Sequence, residues 1–152
     1  MTLTQKETDI LKDLKAQEEL CIEKYGKYAD AACDPSLKNL FNEIKTAECT
    51  HLETINRIMN GEEVKMPTAP KSAQEAKYKG EPSSCSVNDK KNDAYLCRDA
   101  LSMEKHVSGV YNTGVFEFNS TTLRDTLAHI QKEEQDHGEK LYSYLAACGM
   151  YC

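Results

Sequence analysis

DPSLKNLFNEIKTAECTHLETINRIM, residues 34–59, decides the fold, because a seam residue stands at every third or fourth place along it. Leu37, Phe41, Ile44, Glu48, His51, Ile55 and Ile58 follow one another in alternating steps of four and three. That spacing is the buried stripe of an α-helix packed on other helices. Asp34 followed by Pro35 predicts an N-cap and a first helical residue, and Asn60-Gly61 predicts the stop. Farther along, STTLRDTLAHIQKEEQDHGEKLYSYL, residues 120–145, repeats the pattern. Its seam is Leu123, Leu127, Ile130, Glu134, His137, Leu141 and Tyr144, running on to Cys148, with Asn119-Ser120 as the preceding cap.

Each of these segments is preceded by another in the same phase. Leu11, Leu14, Glu18, Cys21, Tyr25, Tyr28 and Ala32 form the first seam. Cys97, Ala100, Glu104, Val107, Tyr111, Gly114 and Phe118 form the third, in a helix expected to begin near Asn88. The expectation is an all-α, four-helix bundle, one domain over residues 1–152, made of two helical hairpins at about 4–60 and 88–148. Residues 61–87 hold three of the four prolines and no periodicity. A structureless link of that length inside a small domain has a use in a bundle, as a crossover running its full length.

The hairpins superpose without a gap at a constant offset of 86 residues. Asp13 matches Asp99, Glu18 matches Glu104, Tyr25 matches Tyr111, Glu48 matches Glu134, His51 matches His137 and Glu53 matches Glu139. Apolar matches at Leu37/Leu123 and Ile44/Ile130 say only that both halves are amphipathic. The polar matches predict an internal duplication presenting two copies of one Glu and one Glu-x-x-His to a shared centre.

Residues three apart on a helix share a face, so Glu48 and His51 point together, as do Glu134 and His137. Glu-x-x-His alone says little. Here all six polar residues occupy positions that otherwise carry Leu, Ile, Phe, Val, Tyr, Cys or Ala. Glu is almost never fully buried unless paired, and four buried carboxylates would repel while each bears a desolvation penalty of several kcal/mol. No Lys or Arg shares the seam near them. Two divalent cations would neutralise the four acids, with imidazoles completing the shells. The rival is a metal-free bundle whose carboxyl groups share protons. Oxygen-rich ligation with one imidazole per ion suits iron or manganese, with zinc also possible. Coordination positions would remain open to water, dioxygen or peroxide.

The bulk numbers narrow the function classes. A net charge of −6 with acids and bases interleaved argues against nucleic acid and against a polybasic membrane anchor. No stretch reaches the ~18 apolar residues of a membrane-spanning helix. The start, MTLTQKE, lacks the apolar core of a secretory signal, so synthesis within the cytoplasm is expected. Among seven cysteines there is no Cys-x-x-Cys. Cys21, Cys49, Cys97 and Cys148 fall in helical segments and are expected to pack as small apolar groups. Cys33, Cys85 and Cys152 fall in turns or at the tail, where inert thiols and cross-links between chains are both open. His106, His129, Glu53 and Glu139 lie off the seam and read as solvated surface. The linker lysines (Lys65, Lys71, Lys77, Lys79) are offset by neighbouring glutamates and form no patch.

At the six seam positions the sequence resembles the ferritin-like superfamily of di-iron and di-manganese carboxylate proteins, whose helices carry Glu, Glu-x-x-His, Glu and Glu-x-x-His in that order. The resemblance implies that Glu18 and His51 serve one ion, Glu104 and His137 the other, and that Glu48 and Glu134 bridge. Tyr25 and Tyr111 resemble the tyrosines that support the ligands in rubrerythrin-like members, plain core packing being the alternative. Val107 stands where rubrerythrin-like peroxidases carry a further glutamate, and the chain holds no rubredoxin domain. More narrowly, LTQKETDILKDLKAQEELCIEKY, the two stretches quoted above and the tail GMYC are similar to the Coat F family of spore coat proteins. That likeness, over most of residues 1–60 and 93–151, implies a spore-forming bacterium, a place in or near the spore coat, and a structural or protective role. Partners would be other coat proteins or further copies of the chain. The ligand set also admits a peroxide- or oxygen-consuming oxidoreductase, rubrerythrin-like or manganese-catalase-like, and metal storage.

Overall fold

The computed structural model of the chain describes residues 2–66 and 83–151. Four helices account for nearly all of them: α1 (Gln5–Ala31), α2 (Pro35–Met59), α3 (Val87–Glu117) and α4 (Thr121–Ala147), with no strand among the described residues. Every helix begins on a side-chain cap. Thr4 and Glu7 form a capping box for α1, and Ser86 and Asp89 form one for α3. Asp34 accepts from Ser36 N with Pro35 at the first turn of α2, and Ser120 caps α4 through Leu123 N. Gly61 ends α2 at φ +86°, a left-handed conformation that a Cβ would oppose.

α1 packs on α2 and α3, and α4 packs on α3 and α2, so the order around the bundle is α1, α2, α4, α3. Cys33 N donates to Asp93 at the start of α3, and Lys6 pairs with Glu117 at its end, so α1 and α3 run antiparallel. It follows that the chain leaves α2 at one end of the bundle and enters α3 at the other. Val64, buried, opens this crossover by accepting a 2.7 Å hydrogen bond from Thr126. A disulfide between Cys33 and Cys85 fastens the far end. The expectations for Pro67, Pro70, Pro82, Lys71, Lys77, Lys79 and Cys152 lie outside the described residues.

The predicted seams form the core, where Leu11, Leu14, Tyr25, Leu37, Phe41, Ile44, Ile55, Leu123, Leu127, Ile130 and Leu141 are inaccessible or nearly so. Gly114 lets α3 approach α4, because a Cβ there would lie 2.9 Å from Leu127 Cδ1. Three details differ from expectation. The first seam steps from Tyr25 to Ala29 rather than to Tyr28, whose hydroxyl reaches out to Asp99 on α3. Cys49 faces solvent instead of packing, and Cys148 sits half-buried just beyond α4. Cys33 and Cys85 pair within the chain, in place of inert thiols or links between chains.

Three further acids are buried: Asp34, which caps α2 and accepts from the Tyr144 hydroxyl, and Glu7 and Asp93, which fasten turns. Glu7 on α1 accepts from Asn119 N in the α3–α4 turn at 2.9 Å. Asp93 on α3 accepts from Cys33 N and Asp34 N in the α1–α2 turn at 2.8 and 2.9 Å. Each hairpin thus holds the bend of the other.

Candidate metal centre

The heptad phase that builds the core also delivers the six polar seam residues to one place. Glu18 comes from α1, Glu48 and His51 from α2, Glu104 from α3, and Glu134 and His137 from α4. All six are buried, none exposing more than 5% of its surface. Their donor atoms form two overlapping quartets, Glu18–Glu48–His51–Glu134 and Glu48–Glu104–Glu134–His137, within each of which one ligand atom per residue lies within 4.8 Å of the others. Glu48 and Glu134 belong to both. The two imidazoles stack with ring centres 5.8 Å apart and planes 24° from parallel.

His51 Nδ1 lies 3.0 Å from Glu48, 3.1 Å from Glu134 and 3.8 Å from Glu18. His137 Nδ1 lies 3.4 Å from Glu48, 3.6 Å from Glu104 and 3.7 Å from Glu134. The hydrogen bonding is incomplete. Glu18 Oε2, Glu48 Oε1, Glu104 Oε2, both oxygens of Glu134 and His137 Nδ1 are buried and lack a hydrogen-bond partner, and no other buried side-chain nitrogen or oxygen among the described residues does. An unpaired buried polar group costs about 1–3 kcal/mol, more when charged. Such a concentration of unmet lone pairs is what a cation-binding centre requires. Each quartet offers three carboxylates and one imidazole, a donor set suited to iron(II) or manganese(II) and open to zinc.

Left to protons alone, the centre balances its charge internally. Burial, with Glu48 and Glu134 nearby, pushes Glu18 up to about 10. Burial pushes Glu104 up to about 9, against the opposing pull of the nearby His137 imidazole. Burial also opposes ionisation of Glu48 and Glu134, yet the adjoining imidazoles of His137 and His51 prevail and hold both below the usual carboxylate range. Burial would lower the imidazoles, but Glu133, Glu134 and Glu48 raise His51 to about 12, and Glu104, Glu134 and Glu48 raise His137 to about 11. At neutral pH two imidazolium ions then face two carboxylates, and two more carboxyl groups stay protonated.

The two tyrosines expected near the ligands support them across the hairpins. Tyr25 on α1 donates to Glu104 Oε1 on α3, and Tyr111 on α3 donates to Glu18 Oε1 on α1. Both rings are inaccessible, so each hydroxyl fixes the orientation of a carboxylate that would otherwise be free to turn. Glu133 escaped the sequence reading. Its carboxylate lies 2.8 Å from His51 Nε2, the nitrogen facing away from the centre, and 3.5 Å from His129. It adjoins Glu134 in the sequence, off the seam, and its counterpart in the first hairpin is Ala47. His106, Glu53 and Glu139 are exposed, as expected.

A cleft of about 510 Å³ opens between α3 and α4, with Glu104 and Glu134 among its lining residues and Ser108 and Gly138 in its walls. Lys105, Gln135 and Tyr142 also line it, and Tyr151 packs edge-on against Tyr142. Glu104 and Glu134 border this cleft, although their side chains stay buried beneath it.

Compared with known protein families, residues 92–151 match the Coat F domain. The match takes in α4 and most of α3; it does not extend to residues 1–60, where likeness was also expected. No curated protein and no solved structure matches the chain. Among the described residues no helix is long and apolar enough to cross a membrane.

Proposed function

We propose that this chain is a spore-coat-associated protein with a structural or protective role, built as a ferritin-like bundle around two divalent ions, iron or manganese. The observation that carries the metal reading is that every unpartnered buried side-chain nitrogen and oxygen of the described residues belongs to five of the six seam ligands, Glu18, Glu48, Glu104, Glu134 and His137. Glu18 and His51 would hold one ion, Glu104 and His137 the other, with Glu48 and Glu134 shared. The Coat F match over residues 92–151 supports the coat association, with other coat proteins or further copies of the chain as partners. The internal duplication is supported by contacts that recur in reverse between the hairpins: Tyr25–Glu104 with Tyr111–Glu18, and Glu7–Asn119 with Asp93–Cys33.

Bound there, iron or manganese would offer open coordination positions to water, dioxygen or peroxide. The protein's own share of the work is to exclude bulk water, hold the carboxylates through Tyr25 and Tyr111, and steady His51 through Glu133. The α3–α4 cleft favours a second reading, a peroxide- or oxygen-consuming oxidoreductase, because it would bring a small molecule up to the residues Glu104 and Glu134 that border it. Metal storage, the third reading, would use the same side for ions to enter and leave.

Metal analysis of chain purified from iron- or manganese-supplemented cells tests the proposal. Two ions per chain are expected, and Glu48→Ala should lose both, since Glu48 belongs to both quartets. Metal retained unchanged in Glu48→Ala, or absent from the wild type under either supplement, would refute it. Peroxide consumption by the loaded protein, abolished in Glu48→Ala, would select the oxidoreductase; full loading without turnover would select the structural role or storage.

A further inference from the structure

Around the centre the twofold repeat fails in two places, and both failures favour the same side. His51 is held at both nitrogens, with Nδ1 3.0 Å from Glu48 and Nε2 2.8 Å from Glu133. The counterpart of Glu133 is Ala47, which has no polar group to offer His137. His137 Nδ1 accordingly stays at 3.4 Å or more from its carboxylates and makes no hydrogen bond. The second failure concerns access. Ser108 and Gly138, small residues, wall the cleft that Glu104 and Glu134 border, whereas Ile22 and Leu52, both half-buried, stand at the equivalent positions of the first hairpin.

We infer that the two ion positions are unequal: Glu133 makes the Glu18–His51 position the tight one, and the Glu104–His137 position exchanges its ion through the α3–α4 cleft. The inference rests on the metal reading above. Glu133 is a positioning residue. It fixes the His51 ring and tautomer and strengthens Nδ1 as a donor, an effect on metal affinity of about 10–100-fold. Gly138 acts by omission, leaving a wall that a leucine would close. A Cβ at Gly138 meets Leu101 Cδ1 at 3.6 Å, an ordinary contact, so the backbone accepts a side chain there.

The test loads the full chain with manganese(II) and follows ion release to excess chelator by electron paramagnetic resonance. Wild type should release its two ions in two phases of equal amplitude, separated about 10–100-fold in rate. Glu133→Gln keeps the side chain's shape but removes its charge; it should speed the slow phase about tenfold and leave the fast phase alone. The manganese hyperfine spectrum of the retained ion should change as well, a signature that loss of packing elsewhere would not produce. Gly138→Leu should slow only the fast phase, and Ala47→Glu, at a half-exposed position, should slow it too. Two ions leaving together, or Glu133→Gln altering both phases alike, would overturn the inequality while sparing the metal reading. A chain that binds no manganese(II) would overturn both.

Discussion

Filling the centre with two dications at neutral pH should expel four protons, a count set by the protons its ligands hold when no ion is bound. His51 and His137, raised to about 12 and 11, each carry a proton that a metal-ligating imidazole must lose. Glu18 and Glu104, raised to about 10 and 9, each carry one that a ligating carboxylate must lose. Glu48 and Glu134 are held low and contribute none. The overall constant for binding both ions should therefore weaken about ten-thousand-fold for each unit fall in pH near neutrality, or about 5.5 kcal/mol at about 1.4 kcal/mol per proton. Calorimetric titration with manganese(II) in buffers of different ionisation enthalpy reads the proton count directly. Release of one proton or fewer per pair of ions would refute the reasoning, showing either that binding occurs elsewhere or that the centre is not charge-balanced by protons. The same groups set the stability of the ion-free fold. Glu18 and Glu104 have folded values above their ordinary 4.5, and the imidazoles above 6.5, so their stabilisation is complete below those values and is lost as pH rises towards the folded ones. Ion-free protein should accordingly unfold at lower temperature at about pH 9 than at about pH 6, and added manganese(II) should narrow the difference.

Three further outcomes follow from contacts outside the quartets. Tyr25→Phe leaves Glu104 Oε1 without its donor and should lower stability by about 1–3 kcal/mol in urea denaturation; an unchanged midpoint would show that the hydroxyl does not support the carboxylate. Asp93→Ala strands the amides of Cys33 and Asp34 at roughly 1–3 kcal/mol each, and should accelerate hydrogen exchange in the α1–α2 turn. Reducing the Cys33–Cys85 disulfide, whose cysteines lie 52 residues apart, should destabilise the fold by about 4 kcal/mol on loop-closure entropy, an effect that Cys33→Ser should reproduce and reductant should not then enlarge.

The six central residues were legible because heptad phase is a strict test. A glutamate or histidine standing where Leu or Ile belongs must be buried if the helix packs at all, and the phase held through all four helices. Glu7 and Asp93 were within reach of the same reasoning, since each lies one four-residue step before the first apolar seam residue recognised, Leu11 and Cys97. Glu133 was not. It lies off the seam on α4 and reaches His51 on α2 by a side chain 41% exposed, a contact that only the packed geometry creates. The partnership of Cys33 with Cys85 was hidden for a different reason: it depends on where the crossover lands, and the periodicity carries no information about a segment without any. Tyr28 misled because a tyrosine at a boundary can satisfy its hydroxyl outside the core, here on Asp99, while the smaller Ala29 fills the inner position.

The exchange of buried acids between the hairpins, Glu7 to the α3–α4 bend and Asp93 to the α1–α2 bend, bears on how such an architecture can specialise. A half-chain of this kind carries both a protruding acid and a receptive bend, so it is self-complementary and two separate copies could clasp each other by a simple rotation. Covalent linkage through residues 60–86 removes the concentration requirement for that clasp. It also lifts the demand that both halves remain identical. In a single chain one half carries Glu133 and Gly138 and the other Ala47 and Leu52, a difference that no assembly of identical subunits can hold.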